Sequence, residues 1–304
     1  MRVLVTGGAG FIGSHIVRKL FNMGHEVFVI DNLHTGSTKN LEGMEINFLK
    51  GSIGKISNFK LPSFDVMFHY GIPSSSQMYV KNKNLIQNSI KDSISLFELA
   101  RKNGSKVILS SSSSVYNGLP TPWKEDMSPI VTDFYTETRI AIERFAELYN
   151  KFYGMECIIL RLFSVYGPGE EFKGRFANII SQFLWRMLKN KRPTIYGDGT
   201  QSRDFIFIED VVKANMLAME KDINFEIINV GSGKNLSFNS IVEILNKKLG
   251  KNITPSYIKN PIKNYVYHTL ADTKKAKEVL NFEAKVKLEE GIEKTIEYYK
   301  KFIN

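Results

Sequence analysis

Cysteine and long apolar runs are the scarcest features of this 304-residue chain. A single cysteine, Cys157, excludes an intramolecular disulfide and any metal site built from clustered cysteines. No stretch approaches the roughly 18 consecutive apolar residues that a membrane-spanning helix needs. At the N-terminus, MRVLVTGG, glycines end the apolar run too early for a secretory signal. These absences predict a cytoplasmic protein without a metal site or a membrane segment.

Acidic residues are in the minority, since 41 Lys and Arg oppose 31 Asp and Glu and leave a formal net charge of +10. An excess of this sign can attract nucleic acid, an anionic membrane surface or acidic small molecules. The basic residues are spread along the chain and mixed with acids, and no compact basic cluster with interleaved aromatics occurs. We therefore expect a lysine-rich surface and no binding of nucleic acid.

The rest of the composition, 43% hydrophobic and 24% charged, is typical of a folded globular chain of one large or two smaller domains. Short apolar runs predict strands at 2–5, 26–30, 47–49, 65–69, 106–109 and 157–160. Helical patterns lie between several of them, at 11–23, 85–102 and 135–152. Because the strands are too apolar to alternate, this order predicts a doubly wound parallel α/β sheet with helices on both faces.

The pattern changes after residue 163. Residues 166–174 are rich in Gly and Pro and predict a loop, followed by a helix at 176–189. A strand at 205–208, a helix at 210–219 and a strand at 226–230 are expected to return to the main sheet, and small helices follow from 236. We therefore divide the chain into a first domain, 1–165 with the return segment 204–234, and a smaller mixed domain, 166–203 with 235–304.

The first predicted strand leads into TGGAGFIGSH, which places Gly7, Gly10 and Gly13 at the start of the first helix. Glycines at this spacing allow a tight turn, close approach of a pyrophosphate to the backbone, and close helix–strand packing. Asp31 ends the second predicted strand about 20 residues further on, where a carboxylate accepts the ribose hydroxyls. Its charge disfavours a 2′-phosphate and no arginine adjoins it, so the motif predicts a Rossmann fold that binds NAD rather than NADP.

Further strings accompany the glycine motif: SSSSSVY at 110–116, RLFSVYGPG at 161–169, YGDGTQSRDF at 196–205, and Tyr135 with Arg139 one helical turn later. Together they resemble the NDP-sugar epimerases and dehydratases of the extended short-chain dehydrogenase/reductase superfamily, and most closely the UDP-glucose 4-epimerases. The resemblance covers nearly the whole chain. It implies that the first domain binds NAD and that the smaller domain binds a nucleotide sugar, expected to be a UDP-sugar.

The resemblance implies a mechanism at the sugar C4. Ser112 matches the catalytic hydroxyl, and Tyr135 matches the base that takes the proton of the 4-hydroxyl while C4 gives a hydride to NAD. The 4-keto sugar then rotates within the site, and its other face is reduced by the returning hydride. A free tyrosine titrates near pH 10, so this role requires a positive charge beside the phenolate. Arg139 replaces the family's lysine and supplies that charge as a planar fork, unless it forms a surface ion pair with Glu143.

The remaining site residues also follow from the resemblance. The implied cofactor site consists of Gly7, Gly10, Phe11, Ile12, Gly13, Asp31, Asn32, Ser52, Ile53, Asn88, Tyr135 and Arg139. The implied substrate site consists of Ser75, Ser112, Ser164, Tyr196 near the base, and Arg203 on the diphosphate. Ser52 replaces an aspartate that meets the adenine amine in relatives, Ser164 replaces an asparagine, and Lys263 lies near the position of a second phosphate-binding arginine. His69 is expected to be structural.

Other activities on the same fold are a dehydratase, a reductase and a non-catalytic NAD-binding regulator. Dehydratases of the family carry Asp-Glu after the catalytic threonine, whereas Ser113 and Ser114 stand here and cannot do acid–base work at neutral pH. The resemblance also implies a homodimer in which the helices at 85–102 and 135–152 form a four-helix bundle. The apolar stripes of these helices could equally face the sheet.

Overall fold

A computed structural model describes residues 1–262 and 265–301, except for the side chains at 57 and 58. Lys263 therefore lies outside the described residues. The strands are β1 (Arg2–Thr6), β2 (Glu26–Asp31), β3 (Asn47–Lys50), β4 (Val66–His69), β5 (Lys106–Ser112), β6 (Cys157–Leu162), β7 (Ser164–Tyr166), β8 (Thr194–Tyr196), β9 (Ser202–Phe207), β10 (Phe225–Val230), β11 (Asn235–Ser237) and β12 (Ser256–Ile258).

The α-helices are α1 (Phe11–Asn22), α2 (Ser76–Lys81), α3 (Asn84–Asn103), α4 (Phe134–Tyr153), α5 (Ile179–Leu188), α6 (Ile208–Glu220), α7 (Phe238–Leu249), α8 (Lys274–Leu280) and α9 (Leu288–Lys300). Short 3-10 segments lie at Thr38–Leu41, Ile53–Asn58, Ser113–Tyr116 and Glu171–Phe176. Among the described helices, none combines the length and the apolar character needed to cross a membrane.

Seven parallel strands form the main sheet in the order β10-β6-β5-β4-β1-β2-β3. The chain builds this sheet outward from β1 in both directions, so the strand order reverses between β1 and β4. In open parallel sheets, ligands bind in the crevice at the carboxyl ends of the strands beside such a reversal. The topology therefore indicates where a bound nucleotide would lie.

Both faces of the main sheet are buried. Along β1, Val3 and Val5 enter one core together with residues of α1 and α6, while Leu4 enters a second core with residues of α3 and α4. Successive side chains of a strand point to opposite faces, and here each face meets helices. This double burial explains the continuous apolar runs and confirms the predicted doubly wound α/β fold.

The segment after β6 differs from the sequence prediction in its pairing. β10 returns to the main sheet beside β6, but β9 pairs with β7 and β11 in a separate three-stranded sheet, so its predicted place in the main sheet is wrong. The buried Asp204 of β9 accepts main-chain N–H groups from Ser232 (2.7 Å) and Ala271 (3.0 Å). These bonds hold β9 to the C-terminal part of the chain. The predicted loop at 166–174 also contains the end of β7 and the start of a 3-10 turn.

Helix α4 has well-defined ends because each carries a specific signal. The Asp133 carboxylate accepts the main-chain N–H groups of Tyr135 (2.9 Å) and Thr136 (3.1 Å), which satisfies donors that a helix start leaves unpaired. At the other end Gly154 adopts a left-handed conformation, with φ of 66°. The cap places Tyr135 in the first turn of the helix.

Candidate active site

The turn between β1 and α1 has no room for side chains. Gly7 has φ of +69°, and a Cβ atom there would lie 2.5 Å from the Tyr70 carbonyl group. A Cβ atom on Gly13 would lie 2.1 Å from the Gly7 carbonyl oxygen. No side chain caps α1 at Gly10 and its first turn holds no acid, so the N–H groups that open the helix at Phe11 and Ile12 have no intrahelical acceptor. This arrangement fits a pyrophosphate, as the sequence predicts.

Asp31 lies at the end of β2 and is 7% exposed. One carboxylate oxygen accepts the N–H of Ala9 (2.9 Å) and the other accepts the N–H of Leu33 (2.7 Å). Burial raises the pKa of Asp31, and these backbone hydrogen bonds oppose the rise. The carboxylate is thus held rigidly beside the glycine turn and keeps lone pairs for a ribose.

A groove of about 470 Å³ leads away from this carboxylate. It runs from Asn32 and Ser52 past Gly71 and Pro73 to Asn88. Together with a smaller pocket that Asp31 and Ile53 line, it follows the carboxyl ends of β2, β3 and β4. The groove therefore has the place and the direction expected for the adenosine half of a dinucleotide.

His69, at the end of β4, is completely buried and hydrogen-bonded on both ring nitrogens. Its partners are the hydroxyls of Thr6 (2.7 Å) and Ser93 (3.0 Å). Burial, aided by the charge of Arg139, lowers the pKa of His69 to about 3. The ring is therefore neutral and structural, tying β1 to α3 behind the groove.

Ser112 and Tyr135 lie on adjoining elements beyond the groove. Ser112 is the last residue of β5, and its hydroxyl accepts the N–H of Ser114 (3.2 Å) as the 3-10 turn begins. The Tyr135 ring is 7% exposed and packs against Tyr79 with ring centres 5.5 Å apart. The Thr136 hydroxyl donates to the Ser114 carbonyl (3.4 Å), which attaches the first turn of α4 to the serine run.

Arg139 is buried beside Tyr135. Its guanidinium carbon lies 5.1 Å from the centre of the Tyr135 ring, and one terminal nitrogen donates to the Ser110 carbonyl (2.8 Å). The other contacts the carbonyls of Ile72 and Pro73, both at 3.4 Å. Within the described residues, no carboxylate lies within 4 Å of this guanidinium and its Nε has no acceptor. Arg139 thus joins the end of the groove to the serine run.

The alternative of a surface ion pair between Arg139 and Glu143 is wrong. Arg139 is only 4% exposed, and Glu143 forms a buried ion pair with Arg161 instead (2.7 Å). Glu143 also accepts a hydrogen bond from the Ser111 hydroxyl. The positive charge of Arg139 is therefore not neutralised by its neighbour on the helix.

The predicted substrate residues lie on several elements, among them β7 of the three-stranded sheet and β8, which pairs with β12 in a two-stranded sheet. Ser75 precedes α2 and its side chain does not cap that helix, Ser164 opens β7, and Tyr196 closes β8. The Arg203 guanidinium lies over the rings of Phe238 and Tyr265. Its terminal nitrogens donate to main-chain carbonyls, the shortest at 2.7 Å, and no carboxylate of the described part pairs with it. Arg203 is a second cation, here half-buried, that lacks a counter-ion among the described residues, which suits it to a diphosphate.

Helix α3 borders the groove with the predicted residue Asn88 and with an acid that the sequence does not single out. Asn88 is exposed at the rim of the groove, whereas the neighbouring Ser89 is buried and hydrogen-bonded to the Tyr79 hydroxyl (2.9 Å). Asp92, one turn further on, lines the groove and contacts Ser52. Tyr79 and Asp92 are not among the predicted site residues, and neither carries a local signal in the sequence. Asp133 could have been found from its position before the apolar pattern of α4.

The parallel sheet, the glycine turn and Asp31 define a dinucleotide-binding α/β protein. The chain belongs to the NAD dependent epimerase/dehydratase family, whose sequence profile matches residues 3–231. The family predicted from the motifs is therefore confirmed, and so is NAD as the cofactor. The protein is an enzyme of this nucleotide-sugar epimerase/dehydratase group.

Individual relatives align over nearly the entire chain. A UDP-glucuronate 4-epimerase of Thermodesulfobacterium geofontis is 33% identical over 99% of this chain and 96% of its own length. The UDP-N-acetylglucosamine 4-epimerase from Methanobrevibacter ruminantium, solved in complex with UDP-N-acetylmuramic acid, has a TM-score of 0.92 at 33% identity and covers 99% of both chains. The UDP-glucose 4-epimerase of Thermotoga maritima, solved with UDP-glucose, has a TM-score of 0.91 at 35% identity over 100% of both.

Proposed function

We propose that the protein epimerises a UDP-sugar at C4, with UDP-glucose and UDP-galactose as the interconverted pair. The observation that carries this proposal is the buried, uncompensated guanidinium of Arg139 beside the Tyr135 ring, 5.1 Å from its centre. A positive charge in a site of low dielectric favours the phenolate over the neutral phenol. Tyr135 is thereby suited to take the proton of a sugar hydroxyl.

In the proposed reaction, bound NAD would accept a hydride from the sugar C4 and later return it. Tyr135 takes the proton of the 4-hydroxyl and returns it after the sugar has turned over. Ser112, fixed at the end of β5, holds the same oxygen by a hydrogen bond. Arg139 stabilises the phenolate. Its own position is fixed by hydrogen bonds to the carbonyls of Ser110, Ile72 and Pro73.

The residues after Ser112 favour epimerisation over dehydration. Elimination of water from C5 and C6 needs an acid and a base beside the sugar ring. Ser113 and Ser114 occupy the two positions that follow Ser112, and the Ser114 hydroxyl is buried without a partner in the described part of the chain. No group at these positions titrates near neutral pH, which supports an epimerase.

We assign nucleotide-sugar binding to residues 166–203 and 235–304, and NAD binding to 1–165 with 204–234. Arg203 supports this division, because its guanidinium contacts two aromatic rings and has no carboxylate partner in the described part. A diphosphate would supply the missing negative charge. Ser75, Ser164 and Tyr196 complete the proposed substrate site.

Incubation of the purified protein with UDP-galactose tests the proposal. UDP-glucose should accumulate to equilibrium with no net formation of NADH, since the cofactor is regenerated in each turnover. Parallel reactions with UDP-N-acetylglucosamine and UDP-glucuronate test the sugars that relatives handle. The proposed pair is refuted if one of these epimerises while UDP-galactose does not, and the activity is refuted if none does.

We further propose a homodimer that pairs through α3 and α4. Leu148, Phe152 and Tyr153 remain exposed at the C-terminal part of α4, with Phe152 74% exposed. Apolar side chains grouped in this way are typical of an interaction surface. Light scattering at micromolar concentration should give twice the chain mass, and a monomeric mass would exclude this surface as a dimer interface.

The lone, buried Cys157 is in keeping with the proposed cytoplasmic location.

A further inference from the structure

We propose that Asp92 recognises the adenine base of NAD by accepting its exocyclic amine on the carboxylate oxygen that faces the groove. This role concerns the cofactor alone. It is independent of the sugar and of whether the enzyme is an epimerase.

The geometry of the carboxylate points to this role. One oxygen of Asp92 accepts the Ser52 hydroxyl (2.6 Å) and the main-chain N–H of Gly54 (3.0 Å). The other oxygen has no hydrogen-bond partner among the described residues. A half-buried carboxylate with one oxygen fixed and the other open to a groove is prepared to accept a donor from a ligand.

The position of the base follows from the position of the ribose. Asp31 ends β2 and holds the ribose hydroxyls of a bound dinucleotide. The base beyond that ribose must lie toward the next strand outward, β3, after which the chain passes through Gly51 to Ser52. Asp31, Ser52 and Asp92 line the same small pocket. Asp92 is therefore on the expected side of the ribose for the base.

Neighbouring groups support the same reading of the pocket. Ile53 opens a 3-10 turn, so its N–H has no acceptor earlier in the turn and can meet a ring nitrogen of the base. Lys55 and Lys91 also line the groove, but neither forms an ion pair with Asp92 in the described residues. A carboxylate that has no cation beside it accepts a hydrogen bond from a donor group of the ligand and repels an anionic group.

Calorimetric titration with two dinucleotides tests the proposal on the full-length protein, after any co-purified nucleotide has been removed. One ligand is NAD; the other is nicotinamide hypoxanthine dinucleotide, in which an oxygen replaces the adenine amine. The unmodified protein should bind NAD about 10-fold or more tightly, because the carboxylate repels the oxygen. Equal affinities would overturn the proposal whatever the variants do.

Asp92→Asn should reverse this preference. The donors on Ser52 and Gly54 fix the amide oxygen on their side, so the NH₂ group faces the base and matches hypoxanthine rather than adenine. NAD affinity should fall about 10-fold while the hypoxanthine dinucleotide keeps or gains affinity. Glu98→Gln, on the same helix but bonded to Arg101 and Tyr149 outside the groove, should leave the ratio unchanged. Equal weakening of both ligands in Asp92→Asn would show that Asp92 only braces the turn at Ser52.

Discussion

Two buried tyrosine–arginine pairs lie near the end of β5, and they differ in what balances the arginine charge. Arg161 donates to both oxygens of Glu143 (3.1 and 2.7 Å) and to the Tyr116 hydroxyl (2.7 Å). Arg139, on the same helix as Glu143, donates only to main-chain carbonyls and lies against the Tyr135 ring. One cation has a carboxylate partner, and within the described residues the other has none.

The difference separates a structural pair from the pair that we propose takes part in the reaction. Burial raises the pKa of Tyr116 in spite of the adjacent Arg161, and its hydroxyl is already committed to Asn229 (2.8 Å). Because the Glu143 carboxylate neutralises Arg161, the Arg161 charge stabilises a Tyr116 phenolate only weakly. Desolvating an arginine without a carboxylate partner is costly, and we propose that the charge of Arg139 stabilises an anion formed during the reaction.

Loss of the Tyr135 hydroxyl should have the largest effect. Tyr135→Phe removes the proposed base and should lower the epimerisation rate by roughly 10³–10⁴-fold, while NAD remains bound. Chromatography of the UDP-sugars measures turnover, and acid release of nucleotide measures NAD. Tyr116→Phe is the matched control and should reduce stability by about 1–3 kcal/mol with little change in the pH–rate profile. Residual turnover above one-tenth in Tyr135→Phe would contradict the assignment.

Removal of the carboxylate from the other pair should act on stability. Glu143→Ala leaves Arg161 buried without its counter-ion and should cost about 3–5 kcal/mol in the free energy of unfolding. Glu147→Ala, one turn further on α4, breaks an exposed pair with Lys151 (2.6 Å) and should cost less than about 0.5 kcal/mol. Urea unfolding of both variants measures the difference, and similar losses would show that Arg161 does not depend on Glu143.

Removal of the Arg139 charge should act on the rate. Arg139→Met keeps much of the bulk and leaves no carboxylate unpaired, so we expect the variant to fold. Because the positive charge beside Tyr135 is lost, turnover at pH 7 should fall by about 10–1,000-fold, or 1.4–4 kcal/mol. Without the positive charge, the anion that forms on the Tyr135 oxygen during the reaction loses stabilisation. An unchanged rate, in a protein that epimerises, would refute the role of Arg139.

Exchange of the cation should have the smallest effect. Arg139→Lys keeps the charge but gives up the fork that reaches Ser110, Ile72 and Pro73, so activity should be retained within about tenfold or increased, with the pH profile in place. Arg161→Lys, in contrast, loses the two-pronged contact with Glu143 and should lower the unfolding midpoint. Urea titrations and pH–rate profiles of both variants distinguish the pairs. An Arg139→Lys variant as slow as Arg139→Met would show that shape, and not charge, matters there.

The elements that could be predicted from sequence are those whose signals are local. The apolar runs and the glycine turn predict β1 to β6, α1, α3 and α4, because burial on both faces and tight turns leave their mark within a few residues. β9 was assigned to the wrong sheet, since an apolar strand fits either one. Its partner depends on Asp204, whose bonds reach 28 and 67 residues along the chain.

The site shows the same limit. The spacing of Arg139 and Glu143 favours an ion pair on an isolated helix, but β6 brings Arg161 to Glu143 and replaces that partner. Asp92 has no sequence signal, because its proposed role depends on a hydrogen bond from Ser52, which lies 40 residues earlier in the chain. The glycine turn and Asp31 could be interpreted because their spacing encodes the geometry directly. The site residues implied by the resemblance remain predictions for the variants above to test.

The bonds of Asp204 also bear on how the chain acquires its structure. This buried carboxylate needs donors at Ser232, Gly233 and Ala271, which are synthesised after β9 and on both sides of the boundary between the two proposed domains. A chain that stopped at residue 231 would bury a charge with none of these donors, at a cost of several kcal/mol. The main sheet and the C-terminal segment should therefore complete folding as one cooperative unit, with β9 in place only after the last third of the chain has emerged.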